Sequence, residues 1–316
     1  MNTESYSLEA LTSLKHQRLN ACAELLKRTD RRLVFARSEA LELLAIEKPV
    51  EPEAERRRKD MDVVVASAGE KTHIEGVRFL TWYGPLATIL INRSIECTTP
   101  TCTWAHYSSV LDLQELIVLG DAMMRRNGHL ARATPADFVA ILDSAPQFQG
   151  IRNCHRALSL MREGTDSSQE TRTRLALMRY GLPEPCVNHM VRLENGQVIF
   201  LDLAYPELRI AIEYDGGYHR FSSQQVLRDD KRREALETMG WLYIKVTVLD
   251  LRTPEAEAEL AQRVAMRCED VLGVSVPLRA RMTMRQLCDG RHRRRKPLWA
   301  TVPRHMWRAR WVQGAN

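Results

Sequence analysis

Apolar residues recur at helical spacing from the start of the chain. Ser7 to Lys27 carries Leu8, Leu11, Leu14, Leu19, Cys22, Leu25 and Leu26, the three-to-four-residue period of an amphipathic helix. A second helix is predicted over Ser38–Ile46, followed by a Pro- and charge-rich loop, KPVEPEAERRRKD, from Lys48 to Asp60. The segments MDVVVAS, THIEGVRFLTW and ATILINRSIECTT then read as several short strands broken by Gly and Asn turns. Helical spacing returns over Val110–Arg126, Pro135–Leu142 and Gly150–Arg162. Residues 1–165 are therefore expected to form a mixed α/β domain, with no internal repeat.

The polar segment EGTDSSQ (Glu163–Gln169) marks a boundary, and the pattern after it is more regular. A helix over Ser168–Tyr180 stops at Gly181-Leu182-Pro183. Strands follow over Cys186–Leu193 and Gln197–Ala204, joined through Asn195-Gly196, a strong hairpin signal. A third strand, Arg209–Asp215, leads to a helix over Ser222–Met239 with Gly240 placed to end it. Trp241–Val248 is a strand, and Thr253-Pro254 opens a last helix that closes at Gly273. The order αβββαβα predicts a second α/β domain over residues 166–275.

Composition changes this picture little and charge changes it more. The chain is 44% hydrophobic and 27% charged, ordinary for a globular protein. It has no apolar run of membrane-spanning length and no secretory pattern at its start, so no membrane partner and a cytoplasmic location are expected. Seven scattered cysteines fit neither a disulfide framework nor zinc-ligand spacing, and read as packing thiols. The net charge of +6 is concentrated: residues 276–316 hold eleven Lys and Arg against one acid, Asp289, leaving the rest of the chain net negative. Such a basic tail, with Arg291, Arg293, Arg294, Arg295 and Lys296 at its centre, is either a nucleic-acid arm or a solvated terminus.

The candidate chemistry lies on two strands. In Arg209–Asp215 alternation sends Ile210 and Ile212 to one face and Ala211, Glu213 and Asp215 to the other. On the preceding strand Val198, Phe200, Asp202 and Ala204 share a face, and a hairpin through Tyr205-Pro206 would bring Asp202 to Glu213. Ionised carboxylates inside apolar runs are costly unless paired or coordinated. A divalent cation, Mg²⁺ or Mn²⁺, is the simplest partner for three such acids. The competing reading places Glu213 and Asp215 in solvent at a strand end, with Asp202 bonded to a turn.

The stretch LDLAYPELRIAIEYDGGYH and then RDDKRREALETMGWLYIKVT resembles the Vsr-like (very-short-patch-repair endonuclease-like) branch of the PD-(D/E)XK nuclease superfamily, closest to uncharacterised actinobacterial members. The resemblance covers about 168–250 and implies a restriction-endonuclease-like αβββαβ core. More weakly, ARSEALELL resembles a degenerate winged-helix remnant in the first domain. The resemblance implies metal ligation by Asp202 and Glu213, and puts Asp215 where the superfamily usually has lysine. His219 then becomes a substitute general base or phosphate contact, and Lys245 a base migrated to the next strand. Glu170 matches the acid of the first helix, although Ser167-Ser168-Gln169-Glu170 is equally a capping box. Asp229 and Arg232 match a D-x-x-R that borders the site and touches phosphate, or else form a surface ion pair. The implied function is metal-dependent endonucleolytic hydrolysis of DNA. The alternatives are a non-catalytic, antitoxin-like DNA-binding regulator on a nuclease scaffold, and an RNA-directed nuclease or toxin.

Overall fold

The structure, a computed structural model, describes residues 8–144, 147–216, 223–291 and 297–308, with the side chains of 223–229 and 298 outside that description. The chain divides between Ser168 and Gln169 into two units, each α/β with its own mixed sheet. Among the described residues no helix is long and apolar enough to cross a membrane.

The first unit runs α1 (Leu8–Leu26), β1 (Val34–Phe35), α2 (Arg37–Leu43), α3 (Glu53–Arg56), β2 (Met61–Val65) and β3 (Val77–Thr81). It continues with β4 (Thr88–Ile91), β5 (Ile95–Thr98), α4 (Pro100–Tyr107), α5 (Leu113–Met123), α6 (Pro135–Ser144) and α7 (Ile151–Leu158). The strands pair in the order β3-β2-β1-β5-β4, parallel at β1–β5 and β2–β3 and antiparallel elsewhere. The helix predicted from Val110 starts at Leu113 because the Asp112 carboxylate accepts the Glu115 N–H at 2.9 Å, a side-chain cap. Helix α4 has no counterpart in the sequence-based prediction. It begins where the Thr99 hydroxyl accepts the Cys102 N–H and Pro100 occupies the first turn. Its Trp104 is fully buried, meets Phe138 edge-on at 4.9 Å, and donates its indole N–H to the Leu116 carbonyl. That bond removes the cost of burying the one polar group of the ring.

The second unit runs α8 (Ser168–Arg179), β6 (Cys186–Arg192), β7 (Val198–Tyr205), β8 (Ile210–Tyr214), α9 (Ser223–Thr238), β9 (Leu242–Val246), α10 (Pro254–Leu272) and α11 (Met284–Cys288). Its sheet has the order β6-β7-β8-β9, with β9 parallel to β8 and the other pairs antiparallel. A parallel return needs a crossover, and α9 is that crossover. One face of the sheet packs Ile210, Ile212, Ile244 and Val246 with Leu177 of α8 and Leu260 and Val264 of α10. The other packs Leu201, Ala204, Ala211 and Trp241 with Leu236 of α9.

Residues beyond 275 depart from the expected separate tail. Val276, Trp299 and Trp307 are buried in the core that holds α8 and α10. Backbone bonds tie Arg279 to Tyr180, Met282 to Arg179 and Arg308 to Val271. The arginines give this segment its charge, but the apolar residues between them seat it in the unit. Arg291 is exposed and forms an ion pair with Asp289 at 2.5 Å, while Arg293, Arg294, Arg295 and Lys296 lie outside the described residues.

Candidate metal centre

The register of β7 against β8 (Leu203 with Ile212, Ala204 with Ala211, Tyr205 with Ile210) brings Asp202 opposite Glu213 when continued by one pair. At that pair side chains take over from the backbone. The Asp202 N–H donates to Glu213 Oε1 at 3.0 Å, and the Tyr214 N–H donates to Asp202 Oδ2 at 2.9 Å. Two carboxylates therefore replace main-chain carbonyls as acceptors where the ladder opens.

The anticipated alternation along β7 breaks at the same place. Leu201 belongs to the core under α9, whereas Leu203, two residues on, belongs to the core under α10. The neighbouring β6 switches faces in parallel, with Val187 on the α10 side and Val191 on the α9 side. Between them Asn188, across from Asp202, takes a φ of +46°. Asn is among the few residues that tolerate that left-handed conformation. Asp202 sits at the switch itself, so simple period-two reasoning placed it near the right partner but on an overly regular strand.

Glu213 is 7% exposed and lies on the α9 face with Ala211. Arg232 reaches down from α9. One nitrogen, Nη2, lies 3.0 Å from Glu213 Oε2 and also donates to the Phe200 carbonyl. Arg232, read from the sequence as a phosphate contact or a surface partner of Asp229, here pairs with a buried site carboxylate. Asp215 follows β8, its N–H bound to the Val246 carbonyl, and its carboxylate is 2.5 Å from Lys245 Nζ on β9. The patch of three acids read from the sequence resolves into a carboxylate pair, Asp202 and Glu213, and an Asp215–Lys245 ion pair beside it. Lys245 stands directly across from Glu213 in the β8–β9 register.

Tyr243, which the sequence-based reading did not single out, lies on the α9 face two residues before Lys245. Burial pushes its phenol up to about 12, and the carboxylates of Glu213, Asp202 and Asp215 add to the shift against the opposing Arg232. Arg233 covers the ring at 5.0 Å. The signal that would have found it is the same parity that relates Tyr243 to Lys245 on a strand paired with β8. Glu170 is buried in the first turn of α8, on a helix whose Leu177 packs on the opposite face of the sheet from Glu213. His219 lies outside the described residues, and Asp229 is placed on α9 without its side chain.

The donor chemistry suits a small hard cation. Among the described residues no group of three or more His, Cys, Asp and Glu side chains is arranged to hold a metal ion. Mg²⁺ is ordinarily held by only one or two carboxylates and completes its shell with water and substrate oxygens, so a pair meets its requirement. The guanidinium seated on Glu213 shows that the position accepts positive charge.

A second constellation proves structural. Cys102 Sγ lies 3.6 Å from His106 Nε2 in the first unit, the separation of a thiol–imidazole pair. Burial pushes the thiol up to about 11 and the imidazole down to about 3, the reverse of an activated nucleophile. His106 is held neutral, packed edge-on against Trp82 at 4.4 Å. Below pH 6.5 the unfolded chain takes up a proton that the folded chain refuses, so this contribution to stability is complete above pH 6.5 and is lost as pH falls toward 3. Glu39, raised to about 7 mainly by burial, has the opposite sign and favours the folded state toward low pH. Comparing His106→Phe with the parent isolates the histidine. Urea titrations of the full chain should show its acid limb flattened by about 1.4 kcal/mol per pH unit below pH 6.5.

No protein-family model matches the chain, and no solved structure matches it. Uncharacterised proteins from two strains of Mycobacterium tuberculosis are each 30% identical to it over 100 residues. The match covers 32% of this chain and 36% of theirs, so the chain spans about a third of the length of the curated relatives it matches.

Proposed function

We propose that the second unit is a metal-dependent nuclease that hydrolyses phosphodiester bonds, with DNA as its first-choice substrate and Mg²⁺ or Mn²⁺ as its ion. The observation that carries this reading is the opened β7–β8 ladder, where the Glu213 carboxylate accepts the Asp202 N–H and the Asp202 carboxylate accepts the Tyr214 N–H. The element order αβββαβ, with β9 returning parallel to β8 through α9, supports a restriction-endonuclease-like core.

Asp202 and Glu213 would hold the ion through their carboxylate oxygens. When bound, the ion would supply an activated water and a Lewis acid for the phosphoryl oxygen. Lys245 stands beside the pair as the cationic group that the superfamily pattern carries at position 215 and this chain does not, and Asp215 fixes its ammonium. A fixed positive charge there stabilises negative charge gathering on the phosphoryl group. Tyr243, kept protonated by burial and by the acids, walls the same face.

The test is cleavage of duplex, mismatched and single-stranded DNA and of RNA by the full chain, with Mn²⁺ and with EDTA. Cleavage of DNA in Mn²⁺ and none in EDTA is the expected result. An intact set of substrates in Mn²⁺ refutes the proposal, and preferential cutting of RNA reassigns the substrate. One observation favours a second reading, a DNA-binding regulator with a silent nuclease scaffold: Arg232 already neutralises Glu213 without a metal. That reading expects salt-sensitive DNA binding that is unchanged in Asp202→Ala.

A further inference from the structure

A buried carboxylate is costly unless paired or hydrogen-bonded, and Arg232 is an ion-pair partner of Glu213. Its Nη2 bridges Glu213 Oε2 and the carbonyl of Phe200, two residues before Asp202 on β7. The guanidinium thus touches one of the two carboxylates that the proposed function assigns to the metal, at an oxygen the ion would draw on. Its side chain is 36% exposed while that of Glu213 is 9% exposed, so Arg232 spans from the buried acid to the surface of the unit. A guanidinium and a divalent ion repel one another across the few ångströms of this site, and both seek the same carboxylate.

We propose that Arg232 is a displaceable resident cation: it holds Glu213 in the ion-free protein, yields that place when a divalent ion binds, and then offers its guanidinium to the substrate phosphate. The proposal rests on the metal-dependent reading above and adds to it a competition inside the site. Arginine suits both positions, because its planar fork binds carboxylate and phosphate alike. The displacement needs no new fold. Arg232 sits mid-way along α9, and rotation about its own side-chain bonds carries the charge from Glu213 toward the surface.

Two consequences separate this from a plain positioning role. A residue that merely orients Glu213 for the ion strengthens ion binding, so its removal weakens it. A resident competitor does the opposite. Mn²⁺ binding to the full-length protein, read from the free-ion electron paramagnetic resonance signal, should therefore be about tenfold tighter in Arg232→Gln than in the parent, within the range over which one adjacent charge shifts such equilibria. The rise in Tm on adding Mn²⁺ should also be larger in Arg232→Gln, because the competing guanidinium is gone. In Mn²⁺, with Ca²⁺-free buffers and an uncleavable phosphorothioate duplex as probe, Arg232→Gln should bind DNA more weakly than the parent.

An unchanged or weakened Mn²⁺ affinity in Arg232→Gln overturns the proposal. Arg232→Lys guards against a folding failure: its side chain is one bond shorter and its ammonium reaches Glu213 less well, so Mn²⁺ should bind it more tightly than the parent, and equal or weaker binding again overturns the idea. Asp202→Asn serves as the control on the underlying reading. If the parent, Arg232→Gln and Asp202→Asn all fail alike to bind Mn²⁺, the metal site itself is refuted and this inference falls with it. If Arg232→Gln alone binds the ion, competition by the arginine is supported in its strongest form.

Discussion

Glu213→Gln is expected to leave the fold in place and remove the ion. The amide keeps an oxygen that can accept the Asp202 N–H, the bond that closes the opened ladder, but it carries no charge for a divalent cation. Loss of an outer-sphere partner alone commonly costs 10–100-fold in affinity or activity, so loss of a direct ligand should exceed about 100-fold in Mn²⁺ binding and in ion-dependent cleavage. Glu213→Ala tests the structural share of the same side chain. It also leaves the part-exposed Arg232 guanidinium without its carboxylate and strands the Asp202 N–H, the latter at a cost of about 1–3 kcal/mol for an unsatisfied buried group. The pair of variants therefore separates chemistry from architecture: the glutamine should unfold near the parent and fail to bind Mn²⁺, and the alanine should do both badly. Undiminished Mn²⁺ binding by the folded glutamine variant would remove Glu213 from the site. The same result with cleavage retained would move the chemistry elsewhere in the chain.

The parts of this protein that were legible in its sequence are those where local signals and burial agree. Residues 168–273 show it. The stop at Gly181, the Asn195-Gly196 turn and Thr253-Pro254 each act through their own backbone preferences, and the predicted elements match the observed ones to within about two residues at each end, the usual play in such boundaries. The approach of Asp202 to Glu213 followed from counting a hairpin. The face switch at Asp202 did not, because it depends on Asn188 adopting a left-handed φ on a different strand, a tertiary choice with no local mark. Arg232 was legible as a motif residue but not as the partner of Glu213. Its reach across from α9 is fixed only when Leu236 seats that helix on the sheet. Helix α4 is a different kind of miss. Thr99-Pro100 carries the same capping signal as Thr253-Pro254, but residues 100–109, between the strand segment ending at Thr99 and the helix predicted from Val110, were assigned no element.

The charge of the C-terminal segment misled most, and it leads to the second large effect. Trp299→Ala should lower the stability of the second unit by about 3–5 kcal/mol, the range for truncating a buried large aromatic. Trp299 is 5% exposed and meets Tyr205 at 5.0 Å with the rings 69° apart. Tyr205 ends β7, the strand that carries Asp202, and is itself fully buried with its hydroxyl donating to the Pro183 carbonyl. A cavity at Trp299 therefore opens beside the strand that sets the acidic pair, in a core that cannot collapse around it without moving Tyr205. Guanidinium titration followed by far-UV circular dichroism measures the loss. If residues past 275 were only a solvated basic arm, the substitution would be silent within about 0.5 kcal/mol, as surface changes are. Truncation after residue 275 should be more severe, since it removes Val276, Trp299 and Trp307 together and frees the carbonyls of Tyr180, Arg179 and Val271. Loss of activity in such a truncated chain then reports a missing part of the core, whereas a nucleic-acid arm must be tested by changing arginines and leaving both tryptophans in place.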